Sequence, residues 1–267
     1  MPEKFLNLLD GARVYDLAQP YFIGMPHFPT HPPFLFSLNK AHGDLTLPNG
    51  GSSAAETITL GGHVGTHIDA LCHFSCAGKL YGGLEPKQSY SEGINQLSVD
   101  TIAPMLRRGV LLDVAGHEKM DALPIEFTVT PELLDAIARS EGVEVRKGDI
   151  VLLRTGWAKF WNNQKRYVTG GRGAHPSGPG PEAPGARWLS SRGVFAAGSD
   201  TIAFERVPSP NMEVHIHLLV EHGIHIIEAL NLEELARERV YEFLFVAAPL
   251  KIRGGTGSPI RPVALVC

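Results

Sequence analysis

The residues best able to do chemistry are concentrated in one short segment, 61–74, which reads GGHVGTHIDALCHF. It holds three histidines and one aspartate, His63, His67, Asp69 and His73, within eleven positions. Imidazole and carboxylate groups together suit divalent first-row metals such as zinc or manganese. The segment therefore predicts a metal site rather than a set of isolated core histidines.

This segment is not expected to form a helix. His63 and His67 are four residues apart, a spacing that would place both on one face of a helix. However, the glycines and β-branched residues around them disfavour helical backbone. In an extended backbone His67 and Asp69 project from the same face, and the glycines allow the chain to fold His63 back towards the same point.

An open metal site is the type that supports catalysis. Three protein ligands, His63, His67 and Asp69, would leave positions free for water, unlike the closed ligand sets of structural zinc sites. A metal ion can lower the pKa of bound water from about 16 to about 7 and so supply hydroxide at neutral pH. His73 lies four residues beyond Asp69 and is the expected general acid/base, because imidazole titrates near neutral pH.

A second group of histidines lies in the stretch MEVHIHLL and is followed by Glu228. We expect His215 near the start of a helix and Glu228 at the end of the next strand, so that a hairpin can bring both side chains to one edge. His215 and His217 point to different faces of a helix, so at most one of them is expected to bind a metal. His222 and His225 are expected to be ordinary surface or strand histidines.

Strands and helices must hold these groups in place. The pattern predicts strands at 56–60, 110–114, 149–154, 193–197, 224–228, 241–246 and 262–266. It predicts helices at 98–108, at 213–222, at 231–238, and from the capping pair Thr130-Pro131 to Gly142. This mixture indicates an α/β fold. The glycine pattern of a dinucleotide-binding turn follows none of the strands, so a nicotinamide cofactor is not expected.

Two irregular segments interrupt this pattern within a chain, 1–267, that is expected to form a single domain. Residues 1–50 form a Pro-rich N-terminal arm, and the prolines of 19–36 exclude regular helix there. The aromatic residues of this arm could wall a pocket or simply wrap the core. Residues 170–185 (GGRGAHPSGPGPEAPG) predict a long loop, either a lid or a tolerated surface insertion.

The composition limits the possible partners. Hydrophobic residues make up 43% of the 267 positions, enough to bury a sizeable core. The net charge of −4 gives no basic field for nucleic acid, and the apolar runs are too short to span a membrane. Three cysteines suit a reducing compartment, and the first twenty residues do not read as a signal peptide. We therefore expect a cytoplasmic protein that acts on a small molecule.

The segment 63–73 matches the signature His-x-Gly-Thr-His-x-Asp-x-x-x-His without a gap. In this feature the chain resembles the putative cyclase family of metal-dependent hydrolases, which includes bacterial kynurenine formamidase and isatin hydrolase. The resemblance extends along most of the chain, through residues 15–17, 24–26, 153–157, 198–201 and 255–262. It implies a swivelling β/β/α fold with a mixed sheet and short helices, usually in a homodimer.

The resemblance also implies roles for particular residues. It assigns His63, His67 and Asp69 to one metal ion and His73 to acid/base catalysis. Family members with two ions use the same aspartate as a bridge, and a later histidine and glutamate hold the second ion.

These later ligands map best onto His215 and Glu228, with His217 as an alternative for the histidine. Zinc or manganese, as one or two ions per chain, would suit this set.

The predicted function is hydrolysis of an amide-type C–N bond in a formamide or a lactam, for example N-formylkynurenine or isatin, by metal-bound hydroxide. A lactone or another ester would suit the same groups. A different possibility is a non-haem iron oxygenase, because His67, Asp69 and a distant histidine resemble its ligand triad. That class usually has an all-β barrel, unlike the alternating pattern here. A third possibility is a non-catalytic protein with a structural metal, which the open three-ligand site disfavours.

Overall fold

The computed structural model of the chain describes residues 11–266. Its strands, in chain order, are β1 Arg13–Asp16, β2 Leu35–Lys40, β3 Ala55–Thr59, β4 His67–Asp69, β5 Gln88–Ser89, β6 Gly93–Ile94, β7 Met105–Asp113, β8 Thr128–Val129, β9 Ile150–Arg154, β10 Gly180–Pro181, β11 Ala196–Ser199, β12 His225–Glu228, β13 Glu242–Ala247, β14 Gly257–Pro259 and β15 Val263–Val266.

The helices are short. They are α1 Val114–His117, α2 Pro131–Glu141, α3 Gln164–Thr169, α4 Ala183–Ser191, α5 Glu213–His215 and α6 Glu233–Arg237, with 3-10 turns at Tyr81–Gly83, Val99–Thr101 and Trp157–Phe160 and a π-helix at Ile216–Glu221. Within residues 11–266, no helix has the length and apolar character needed to cross a membrane.

A nine-stranded sheet organises the molecule, in the order β1-β15-β13-β7-β9-β11-β12-β4-β14. Its centre, β7-β9-β11-β12, is parallel. The strands on either side run antiparallel to their neighbours, including β4 between β12 and β14. Smaller two-stranded pairs are β2 with β3, β5 with β6, and β8 with β10. The predicted mixed α/β fold with short helices is confirmed.

Both faces of the parallel centre are buried, as β9 illustrates. All five of its residues are buried. Ile150 and Leu152 enter the core on one side of the sheet, whereas Val151 and Leu153 enter a second core on the other side. This arrangement explains why the sequence here is a continuous apolar run rather than an alternating one.

Helix α2 covers one of these cores, and its ends follow the predicted signals. The Thr130 side chain accepts a hydrogen bond from the backbone N–H of Leu133, and Pro131 occupies the first turn. Gly142 ends the helix with φ of +70°, a conformation that costs glycine little. Leu134 is fully buried against the sheet.

The predicted helix at 98–108 is wrong. Only Val99–Thr101 forms a single 3-10 turn, and from Met105 the chain is already in β7. Pro104 lacks an N–H donor and disfavours helical backbone in the residue before it. Strand β7 is hydrogen-bonded on both edges, to β9 and β13, so pairing within the sheet outweighs local helical propensity.

The two irregular segments are also more ordered than predicted. In the predicted loop 170–185, β10 pairs with β8, and α4 begins at Ala183 with Pro184 in its first turn. In the predicted arm 1–50, β1 pairs with β15 at one margin of the sheet, and β2 forms a hairpin with β3. Residues 1–10 of the arm lie outside the described residues. The predicted helix 213–222 changes from α to π geometry at Ile216.

Asp200 fixes the loop that follows β9 to the end of β11. Its fully buried carboxylate accepts hydrogen bonds from the backbone N–H groups of Thr155, Gly156 and Trp157 at 2.8, 2.8 and 3.0 Å. The hydroxyl of Thr155 donates to the same carboxylate at 2.7 Å. One side chain therefore satisfies four buried donors.

We expect Asp200→Ala to lower the free energy of unfolding by about 3 kcal/mol or more, because each buried donor left without an acceptor costs about 1–3 kcal/mol. Urea unfolding measures this change. Asp121→Ala is the matched control, since the Asp121 side chain is fully exposed and contacts the same loop only at its margin. Equal stability of the two variants would contradict the anchoring role.

Candidate metal centre

The centre is built on β4, a three-residue strand between β12 and β14. His67 and Asp69 lie on one face of β4, and Ile68 lies on the other face, fully buried in the core. The strand register places His67 opposite Glu228 of β12 and Asp69 opposite Gly257 of β14. The backbone is therefore extended at this point, as predicted.

A tight turn brings His63 to this strand. Gly65 has φ of +67°, and a side chain at this position would collide with the ring of Tyr21. The Tyr21 hydroxyl donates a hydrogen bond to the carbonyl of Val64 at 2.8 Å and so holds the turn in place. As a result His63 Nδ1 lies 2.7 Å from Asp69 Oδ1.

Two further side chains arrive from distant segments. His215 is the last residue of α5, and Glu228 is the last residue of β12. His215 Nε2 lies 3.4 Å from Glu228 Oε1 and 3.8 Å from Asp69 Oδ2. Glu228 Oε2 lies 3.5 Å from His67 Nε2. The structure thus brings together all five side chains that the sequence nominated as metal ligands.

His217, the alternative to His215, lies on the opposite side of its helix. Its Nε2 is 2.8 Å from the hydroxyl of Ser190, and its Nδ1 is 2.8 Å from a carboxylate oxygen of Glu221. Of the two histidines, His215 is the one that approaches Asp69.

The two remaining histidines of this region lie away from the ligand cluster. His222 is exposed next to the π-helix. His225 is buried in β12 behind the cluster, where its Nδ1–H donates to the backbone carbonyl of Asp69 at 2.9 Å. His225 therefore supports the strand that carries Asp69.

The five side chains form two overlapping groups that share Asp69. The first group is His63, His67 and Asp69. In each group the ligand atoms lie within 4.8 Å of one another. The second group is Asp69, His215 and Glu228. Asp69 is 1% exposed, and its Oδ2 has no hydrogen-bond partner among residues 11–266.

A buried carboxylate oxygen without a partner is costly unless a cation balances it. Imidazole nitrogens and carboxylate oxygens are ligands that zinc and manganese both accept. The residues of this chain therefore fit one or two divalent ions.

The electrostatics of the cluster also favour a cation. Burial by itself raises the pKa of Asp69, but the neighbouring His73 and His63 hold it well below its usual value. Burial lowers the pKa of His215, but hydrogen bonds to Glu205 and Glu228 outweigh this and raise it to about 10. Without a metal, a proton on His215 thus balances the carboxylates, and a metal ion would have to displace it.

Glu205 is a residue that the sequence analysis missed. It is buried, and its Oε1 accepts hydrogen bonds from His215 Nδ1–H at 2.6 Å and from the His215 backbone N–H at 3.1 Å. Its Oε2 accepts a hydrogen bond from the Ser209 hydroxyl at 2.8 Å. The hydrogen bond between Glu205 and His215 Nδ1–H fixes the tautomer of His215 and directs its Nε2 at the cluster.

The other two histidines of the cluster are oriented in the same way. His67 Nδ1–H donates to the carbonyl of Gly65 at 2.8 Å, and His63 Nε2 lies 2.9 Å from the hydroxyl of Thr256. Sequence patterns offer no spacing that relates Thr256 to His63. For Glu205 the single cue is an acidic residue within the apolar run IAFE.

His73, the predicted acid/base, lies against the cluster without joining it. Its ring stacks on that of His63 with centroids 3.8 Å apart and planes 27° apart. Burial lowers the pKa of His73 to about 3, although the charge of Asp69 opposes this shift. The imidazole is therefore neutral at pH 7.

The cluster and His73 open into a cavity of about 200 Å³. The N-terminal arm contributes Phe28, Thr30 and His31 to its wall, so this part of the arm lines the pocket rather than only wrapping the core. The other lining residues are His63, His67, His73, Phe74, Ile202, Ala203, Met212, His215 and Glu228. None of these residues belongs to the segment 170–185, so that segment is not part of the cavity wall in the described structure.

Comparison with known proteins places this geometry in context. The sequence model of a family described as putative cyclase matches residues 15–206. The chain is 32% identical to isatin hydrolase of Roseibium aggregatum over 216 residues, which cover 78% of this chain and 73% of that protein. It is 26% identical to kynurenine formamidase of Bacillus cereus over 249 residues, which cover 93% and 95% of the two chains. A crystal structure of a novel cyclase matches with a TM-score of 0.85 at 26% identity, covering 99% of this chain and 91% of the other.

We expect Glu205→Gln to weaken binding of an ion at the Asp69–His215–Glu228 group by roughly 10–100-fold, the usual effect of losing a partner that orients a ligand. Chelator competition with zinc measures the affinity. Glu213→Gln is the matched control, because Glu213 is exposed on the same short helix. Equal affinities in the two variants would refute the orienting role of Glu205.

The same variant tests the proton linkage. The raised pKa of His215 stabilises the metal-free protein fully below about pH 6.5, and this stabilisation is lost as pH rises through about 10. Metal binding at neutral pH should therefore release protons, and Glu205→Gln should release fewer of them. Calorimetric titrations in buffers of different ionisation enthalpy count these protons.

Proposed function

This chain belongs to the putative cyclase family, and we propose that it is a metal-dependent hydrolase that cleaves an amide-type C–N bond in a formamide or a lactam. The observation that carries the proposal is the buried pair of ligand groups sharing Asp69 at the base of a small cavity. The relatives named isatin hydrolase and kynurenine formamidase support the same reaction class.

We propose that His63, His67 and Asp69 hold one ion, zinc or manganese. A second ion would share Asp69 and bind His215 and Glu228. A divalent ion held there would supply a Lewis acid and would lower the pKa of bound water towards neutrality. Asp69 Oδ2 has no hydrogen-bond partner among the described residues, which supports the role of Asp69 as the shared ligand.

His73 is proposed to move the proton. A neutral ring nitrogen of His73 can accept the proton from the attacking water and then donate it to the leaving nitrogen. The stacking of His73 on His63 keeps the ring beside the ligand cluster, while the negative charge of Asp69 offsets part of the cost that burial imposes on the protonated form.

The cavity favours a compact substrate. Its volume of about 200 Å³ is smaller than the roughly 300–1,000 Å³ of pockets that hold drug-sized ligands. Phe28, Phe74 and Ile202 give it apolar walls that suit a flat ring and limit the access of water. A bicyclic lactam such as isatin fits this description better than a formamide with a long polar tail.

The assembly and location of the protein complete the proposal. We propose a homodimer, and the exposed apolar side chains of the β2–β3 hairpin, among them Leu35, Leu38 and Ile58, support an intermolecular contact there. A cytoplasmic location remains a prediction from the composition.

The test is the initial rate of hydrolysis of isatin and of N-formylkynurenine by zinc- and manganese-loaded protein, beside a chelated control. We expect metal-dependent hydrolysis, with isatin the better substrate because it is more compact. If the protein hydrolyses a lactone or another ester but neither of these two compounds, the cleaved bond is an ester bond and not the proposed C–N bond. Bound metal with no hydrolysis of any of these compounds would refute the hydrolase proposal.

We expect His73→Ala to retain its metal but lose turnover by roughly 10²–10⁴-fold, the usual contribution of a positioned acid/base. Metal analysis and kcat on the better substrate measure the two effects. His175→Ala, a change at an exposed histidine away from the cavity, is the matched control. Unchanged kcat in His73→Ala would remove the proposed role.

A further inference from the structure

The outer face of the π-helix carries a second cluster of metal-binding side chains. His217, Glu221 and His222 offer ligand atoms that all lie within 4.8 Å of one another. This cluster lies on the opposite side of the helix from His215, which is buried and faces Asp69.

The π-helical backbone is what brings these three residues together. In an α-helix, residues five positions apart are rotated by about 140° from each other and do not meet. A π-helix bonds each residue to the fifth one along, so that His217 and His222 come into register. Their ring centroids are 4.1 Å apart, and His222 Nδ1–H donates to the backbone carbonyl of His217 at 3.0 Å.

His217 is oriented as a ligand would be. The Ser190 hydroxyl on α4 lies 2.8 Å from His217 Nε2, and this contact leaves Nδ1 facing Glu221 at 2.8 Å. One ring nitrogen is thus fixed by a hydrogen bond and the other faces a carboxylate, as for the histidines of the buried centre. Side-chain exposure is 13% for His217 and 54% for Glu221, so the cluster opens to solvent on the carboxylate side.

We propose that His217, Glu221 and His222 form a peripheral binding site for a divalent ion of the zinc class. Two imidazoles and one carboxylate are a ligand set that zinc accepts, and water from the open side completes the coordination. An ion at this position would link both ends of the π-helix that follows His215. Its occupancy would therefore stabilise the segment that presents His215 to the buried centre.

The test counts zinc ions by equilibrium dialysis of the full chain after the buried centre has been saturated. We expect the native protein to bind one ion more than His222→Ala, and its thermal midpoint to rise on binding that ion. Glu221→Gln should weaken the extra ion by about tenfold or more, because a neutral amide is a poorer ligand than a carboxylate. His175→Ala, at an exposed histidine elsewhere, should keep it.

A second variant separates this site from the buried centre. Asp69→Asn should lose ions from the buried centre but keep the extra ion. Adding His222→Ala to Asp69→Asn should then remove the extra ion. These readouts do not depend on any substrate, so failure of the hydrolase proposal would leave them unchanged. Equal zinc counts in the native protein and His222→Ala would overturn the proposal, as would equal loss of the extra ion in His175→Ala.

Discussion

The buried carboxylate of Asp69 is the constraint on which the rest of this structure depends. It is almost fully excluded from solvent, it lies among the imidazoles of His63, His67 and His215, and one of its oxygens has no partner among the described residues. A negative charge in such a position is stable only if positive charge is supplied close by. Protons supply that charge in the metal-free state, and divalent ions are the natural replacement. The surrounding architecture serves to hold the positive charge and the carboxylate together.

Strand register is the means by which the fold does this. The short β4 is inserted between β12 and β14, and this pairing sets Glu228 opposite His67 and Gly257 opposite Asp69. A shift of one residue would turn Asp69 towards the core and Ile68 towards the cluster, because side chains alternate along a strand. Burial of the Ile68 side chain therefore fixes the side of the strand on which the Asp69 carboxylate lies.

Orientation of the ligands is a separate task from bringing them together. In each of the three histidines, the ring nitrogen that faces away from the cluster contacts a second group. These groups are the backbone carbonyl of Gly65, the hydroxyl of Thr256 and the carboxylate of Glu205. Of these three groups Glu205 alone carries charge, so it also raises the pKa of His215. His215, at the end of α5, faces the buried cluster, whereas His217, in the π-helix that follows, faces Ser190 and Glu221.

Local spacing nominated His63, His67, Asp69 and His73, because all four lie within eleven positions and a two-residue period in extended backbone places His67 and Asp69 on one face. The ends of α2 and the doubly covered β9 were likewise readable from caps and an apolar run. The family resemblance favoured His215 over His217, and the tertiary structure places His215 beside Asp69. The role of Glu205 and the contribution of the arm to the cavity wall were decided by tertiary structure alone. Each depends on contacts between segments far apart in the chain, and such contacts leave no periodic trace in the sequence. For the same reason the helix predicted at 98–108 does not form where β7 begins. The pairing of β7 with two neighbouring strands is a property of the assembled sheet, and the residues of β7 alone do not reveal it.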